Sequence, residues 1–362
     1  MAQDTPSPPP SGPEDLLALP PRDAVLFLQG AKAIMSGNGH HGLLALEQAT
    51  LEAMQRHLFC TEIDLHALAP LSPSSGELEA FVERATPEVL ERLSALWCIL
   101  PIVDTELHPA KVGVLRGLVE ALGHNVALAD DIAALAERDR FLPKFRMFRR
   151  LFPRVFHVGI LRGLVQLLGA SLGLRDRALG RRYDALAELP EGTFGHALSQ
   201  FYIHNRMTPP GRRGAYPYNQ IGPHDAHHVL AGCDTSYVGE FLVLPFEVGS
   251  SACPSGEFLV VAMLQTHAGF ALDPSVPPTT GLFDPDAFFR EFARGSRVHD
   301  DLLAKNWDFW PYVTLPLAQA RARLGITCGG GNVDAECPQW NGKDSPENVQ
   351  RMAGAGQAAH AS

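Results

Sequence analysis

Residues 222–241 read "GPHDAHHVLAGCDTSYVGEF", and how this stretch folds decides the architecture around it. Three histidines and three carboxylates flank a small-residue centre. His224 and His228 are four residues apart, so on an α-helix both rings leave the same face. Pro223 suits the first helical turn, with Gly222 before it. Asp225 sits about 100° round the helix in that same turn, where the helix dipole alone would favour it. His227 points away from the His224/His228 face, toward a second shell or the surface. Glu240 lies twelve residues beyond His228. One unbroken helix would carry it about 18 Å away at 1.5 Å per residue. Gly232 can end the first helix, and Asp234, Thr235 or Ser236 can cap a second over roughly 236–248. The spacing makes chemical sense only if that turn folds Glu240 back onto the histidines. Two imidazoles and two carboxylates brought together suit a borderline divalent ion, most often zinc.

Outward from this segment the pattern is helical almost throughout. In 86–100, Thr86 can cap, Pro87 suits the first helical position, and Val89, Leu93, Leu96, Trp97 and Leu100 share a face. Pro109 opens a helix lined by Val112, Leu115, Leu118, Val119 and Leu122, and Gly123 closes it. Leu44, Leu51, Met54 and Leu58 mark another. "GEFLVVAML" (256–264) is ambiguous between helix and strand. In "FLPKFRMFRRLFPRVF" (141–156), Phe141, Phe145, Phe148, Phe152 and Phe156 form one aromatic stripe beside Lys144, Arg146, Arg149, Arg150 and Arg154. The stripe reads either as a core face or as a basic amphipathic helix on a membrane surface. Pro143 and Pro153 limit a regular helix there.

The chain has 362 residues, 46% of them hydrophobic, and a net charge of −10. That composition is globular, and the length suggests two domains. An acidic balance argues against nucleic-acid binding, which needs a basic surface. The N-terminus "MAQDTPSPPPSGPEDLL" shows neither the basic nor the apolar part of a secretory signal. Six scattered cysteines suit reduced thiols in a cytosol. The most apolar run, "VFHVGILRGLVQLLGASLGL" (155–174), is interrupted by His157, Arg162 and Gln166. It reads as a buried or interfacial helix rather than a membrane span. Residues 1–19 and 329–362 read as disordered tails.

The spacing HDxxH, eleven residues, then Glu resembles the metal motif of the coenzyme Q (ubiquinone) biosynthesis protein four family. Further stretches agree in order: "LAELPEGTFGHALSQFYIHNRMTP" (186–209), "GEFLVLPFEVG" (239–249) and "AFFREFARGSRVHDDLLAKNWDFWPYVTLPLAQARARLGI" (287–326). The resemblance implies an all-helical, metal-binding domain over 140–328, with His224, Asp225, His228 and Glu240 as ligands of a divalent metal, usually zinc. It also implies peripheral association with the matrix-facing or cytoplasmic membrane surface and binding of a polyprenylated quinone precursor. The implied role is organising other quinone-biosynthesis enzymes, or removing the ring carboxyl at C1 with replacement by hydroxyl. Two departures stand out: "YPYNQIGP" replaces the family's basic-aromatic run before the motif, and Pro245 stands where a helix former is usual. Residues 20–125 resemble the tellurite-resistance TerB-like helical domain, through "LPIVDTELHPAKVGVLRGLVEALG" (100–123), with 126–139 as a linker or helix. In such a domain Asp104 and Glu106 bind a cation or are solvated turn carboxylates, the latter being favoured at helix starts.

On this reading the metal polarises a ring carboxylate or phenolate. Hydroxylation would also need oxygen and an electron path. His196, Gln200 and His204, four residues apart, read as a polar wall toward the ligand or as a solvated stripe. Two other readings compete. One is a non-catalytic lipid-binding scaffold. The other is an HD-type phosphohydrolase, which would recruit His157 and Asp300.

Overall fold

The structure, a computed structural model, describes residues 19–59, 62–137, 142–155, 168, 176–215, 221–251, 256–270 and 278–333. It is all-α. The helices are α1 (Pro21–Met35), α2 (Ala45–Met54), α3 (Gly76–Arg84), α4 (Pro87–Ile99), α5 (Pro109–Leu122), α6 (Val126–Ala136) and α7 (Leu142–Val155). They continue with α8 (Arg177–Asp184), α9 (Phe194–His204), α10 (Ile221–Ala231), α11 (Tyr237–Ser250), α12 (Gly256–Thr266), α13 (Pro285–Gly295) and α14 (Leu317–Leu324). Extended pairing among the described residues is limited to two isolated bridges.

Local chemistry accounts for the helix ends. Thr86 accepts from the Val89 amide and Pro87 follows it, as the sequence predicts. Pro109 opens α5, and Gly123 closes it in the left-handed conformation that glycine tolerates best. The ambiguous 256–264 run is helix α12. It packs between α4 and α11, so apolar residues are wanted on most of its circumference and the helical period is blurred.

The buried apolar side chains make one continuous cluster from Ala24 to Val333. In its N-terminal part Phe27 stacks on Trp97. In its C-terminal part Phe241, Phe246, Phe288, Phe289 and Phe292 are fully buried. Ion pairs join the two parts. Asp286 on α13 takes Arg56 (2.5 Å) and His57 (2.8 Å) from the π-turn after α2. Buried Arg92 on α4 donates to the Ser251 carbonyl at 2.6 Å.

Several expectations change in the tertiary setting. Asp104 is neither a solvated carboxylate nor part of a cation site with Glu106. It is buried against the Lys111 ammonium, which also bonds Glu47 at 2.6 Å, so a protein cation occupies the place. The helix in the 141–156 stretch runs through Pro153. Phe145 is 58% exposed. Phe141 and Phe156 lie outside the described residues, as do the side chains of Phe148 and Phe152. The arginines beside the stripe do not all face outward: Arg146 and Arg150 turn inward to buried Asp131, and Arg150 also reaches Glu257 at 2.7 Å. Residues 329–333, expected as the start of a disordered tail, lie on the body, with Val333 buried in the core. No helix among the described residues is long and apolar enough to cross a membrane.

Candidate metal centre

The turn that the motif requires is present. Helix α10 ends at Ala231, and Gly232 follows with φ +74°. Of the three capping candidates, Ser236 caps α11 by accepting from the Gly239 amide, while Asp234 accepts from the Ser236 amide and hydroxyl. Helix α11 folds back along α10 and brings Glu240 to the histidines. Its Oε2 lies 3.5 Å from His224 Nε2 and 3.4 Å from His228 Nε2, and the two Nε2 atoms are 3.2 Å apart.

The partners of the other ring nitrogens assign the tautomers. His228 Nδ1 meets the Cys233 carbonyl at 3.2 Å, and a carbonyl can only accept. His224 Nδ1 meets Glu247 Oε1 at 2.8 Å. Burial alone would raise the Glu247 carboxyl, but His224 and His227 outweigh it and hold it down at about 2. Both Nδ1–H groups therefore donate, which turns both Nε2 atoms toward each other. At 3.2 Å they need a proton or a metal ion between them. Metal–ligand bonds of 2.0–2.1 Å in a tetrahedral site give donor–donor edges of about 3.3 Å. The observed triangle matches those edges. The donor set, two imidazoles and a carboxylate with oriented partners behind them, fits a zinc-type ion.

His224, His228 and Glu240 are the group of potential ligands whose donor atoms converge among the described residues. Asp225, expected as a fourth ligand, is buried beside them but outside that converging group. Its Oδ2 accepts from the Tyr202 hydroxyl at 2.6 Å. Burial pushes its carboxyl up to about 6, against the pull of Tyr202 and the imidazoles. Burial also works against a charged His224, yet Glu247 and Glu240 carry its pKa well above the usual range. Glu240, despite the desolvation that opposes it, is held well below the carboxylate range by His228 and His224.

The surroundings orient these groups. Phe201 stacks on the His228 ring. His227 is buried rather than on the surface. Its Nδ1 donates to Glu247 Oε1 at 2.6 Å, and its ring lies against Trp307. Glu247 is thus a functional residue that the motif reading missed. Its signal was available: it lies two helical turns after Glu240, inside the "GEFLVLPFEVG" segment. Tyr202 had no such signal.

The wall of His196, Gln200 and His204 lies along α9, outside the converging group. His196 and Gln200 are half-buried and contact each other at 3.5 Å, while His204 is exposed. The face of α9 that meets the motif is instead aromatic, with Phe201 and Tyr202. Asp300, wanted by the phosphohydrolase reading, accepts from the Tyr312 hydroxyl at 3.0 Å and is not in the converging group. His157 lies outside the described residues.

No known protein family matches the sequence, and no curated protein matches it.

Proposed function

We propose that this chain is a zinc-binding protein of quinone biosynthesis that takes a polyprenylated aromatic acid as its ligand. The observation that carries the metal is the convergence of His224 Nε2, His228 Nε2 and Glu240 Oε2 in a triangle with edges of 3.2, 3.4 and 3.5 Å. The substrate class follows from the resemblance of the motif and the three stretches around it. A metal held there supplies Lewis-acid stabilisation of negative charge on a ring carboxylate or phenolate.

The chain's own residues bind and orient. Glu240 is 40% exposed in its side chain and His224 22%, so one side of the centre opens to solvent. An open side is the mark of catalytic rather than purely structural zinc sites. Phe201, stacked on His228, bounds the other side. The reaction in this reading is loss of the C1 carboxyl as CO₂. Its replacement by hydroxyl draws on dioxygen and an external electron donor. Exposed Leu142 and Phe145 on α7 support peripheral contact with the inner face of a membrane, where a prenyl tail could be exchanged. Other quinone-biosynthesis enzymes are the partners this placement suggests.

Native mass spectrometry on protein purified without chelators tests both parts. One divalent ion with a prenylated aromatic is expected, and the ion should vanish in His228→Ala. Full metal occupancy in that variant would sink the ligand assignment. Incubation with a carboxylated polyprenyl phenol should yield the decarboxylated ring. Bound lipid without turnover would replace the enzyme by a scaffold that gathers quinone-biosynthesis enzymes at the membrane.

A further inference from the structure

The last carbonyls of the metal-motif helix α10 are taken by groups from far along the chain. Arg321 donates to the Leu230 and Val229 carbonyls, both at 2.9 Å. Arg294 donates to the Ala231 carbonyl at 2.5 Å. The Asn332 and Val333 amides donate to the Gly232 carbonyl at 3.1 and 3.2 Å. Helix C-termini leave carbonyls without partners and carry partial negative charge, so buried guanidinium groups answer both needs. The 330–333 strap fits closely. Its Gly331 amide donates to Glu291 Oε1 at 2.8 Å. Gly331 has φ +75°, and a Cβ there would stand 2.1 Å from the Gly232 carbonyl oxygen. Only glycine permits both the backbone angle and the approach.

Asn332 reaches past the helix end to the turn itself. Its Oδ1 accepts from the Asp234 amide at 3.0 Å. Its Nδ2 donates to Asp234 Oδ1 at 2.9 Å and to Ser236 Oγ at 3.4 Å. Ser236 caps α11, and its carbonyl accepts the Glu240 amide at 2.8 Å. One side chain, 98 residues from Asp234 in sequence, thus ties the turn on which Glu240 swings back to the histidines.

We propose that Asn332 is a positioning residue for the metal centre. It clasps the 232–236 turn and so fixes Glu240 relative to His224 and His228. The inference rests on the metal reading above. Asn332 acts through the turn and is not itself a ligand. The clasp is also where the C-terminal segment after α14 bears on the site's chemistry.

The test is zinc titration against a competing chelator, using the full chain and three variants. Asn332→Ala should weaken zinc binding by about tenfold or more, the usual cost of removing a group that orients ligands. Asn332→Asp keeps the acceptor for the Asp234 amide but sets a carboxylate against the Asp234 carboxylate, and it should weaken zinc binding too. Should the alanine variant not fold, the aspartate variant decides. Val333→Ala, which trims the strap's apolar anchor, should lower Tm and leave zinc affinity unchanged. A purely structural role would lower the Tm of Asn332→Ala with unchanged zinc affinity, and that result overturns the proposal. Hydrogen exchange separates this inference from the metal reading. If the unsubstituted protein takes up no zinc, the metal reading fails. The hold on the turn is then still judged by the Gly239 and Glu240 amides. They should exchange faster in Asn332→Ala, and an unchanged rate overturns the clasp.

Discussion

Glu247 supplies the charge that orients one of the two candidate ligand imidazoles, His224. It is 1% exposed in its side chain, and its Oε1 accepts from both His224 and His227. A buried carboxylate with two N–H donors fixes which nitrogen of His224 carries the proton, and so leaves Nε2 for the metal. Its folded pKa of about 2 lies below the ordinary 4.5. The stability it contributes is therefore fully present above pH 4.5 and is lost as pH falls toward 2. In chelator-treated protein, Glu247→Gln should flatten the stability–pH curve across that window. Urea midpoints measured from pH 5 downward check this. Equal acid sensitivity in the two proteins would mean that the carboxylate is not ionised by its imidazole partners. The same variant should bind zinc about 10- to 100-fold more weakly, read by competition with a chromophoric chelator.

At the scale of elements, the Glu240 helix is held by a close crossing of α11 and α13. A Cβ on Gly249 would stand 2.2 Å from the Phe292 carbonyl oxygen, and one on Gly295 would stand 2.0 Å from that of Phe246. Each helix thus presses a glycine against the other's backbone, and Phe246, Phe288 and Phe292 fill the flanks. Pro245 inside α11 lacks the amide that would bond the Phe241 carbonyl, and the helix continues through it to Ser250. The crossing makes a sharp prediction. Gly295→Ala should destabilise the fold by about 1–3 kcal/mol through overpacking, even though alanine is the better helix former by about 1 kcal/mol. Denaturant unfolding measures it, and a stabilised variant would show that the helices separate freely.

Across the whole molecule, the candidate metal ligands come from two helices whose joining end and turn are tied to α13, α14 and the strap, all within one continuous core. A ligand that binds only the folded arrangement stabilises it by mass action, by about 2.7 kcal/mol when free metal is a hundredfold above Kd. Zinc should therefore raise Tm of the full chain, chelator should lower it, and His228→Ala should respond to neither. Identical melting with zinc and with chelator would remove the centre from the folding unit. The joint between the two halves, Arg56 and His57 on Asp286, places the N-terminal helices inside the same body as the metal turn.

Much of this was legible in the sequence because it is local. The i, i+4 histidines, the glycine stop, the serine cap and the Glu240 return depend on neighbours within a turn or two, and helix geometry alone relates them. The same holds for Thr86–Pro87 and for Pro109 with Gly123. What stayed illegible depends on partners far away in sequence. Asp104 looks like a solvated turn carboxylate until Lys111, held by Glu47 from 64 residues back, is buried against it. Arg150 looks like an outward membrane cation until Glu257, 107 residues on, claims it. Asn332 lies in a stretch with no periodicity, and its task appears only when the strap meets the turn. The sequence by itself determined helices, their ends and the residues able to chelate, because backbone periodicity and capping are short-range. Only the tertiary structure decided which charges are buried together, which carboxylate orients the imidazoles and what locks the turn. Desolvation and charge pairing are set by whatever packs alongside, however distant in the chain.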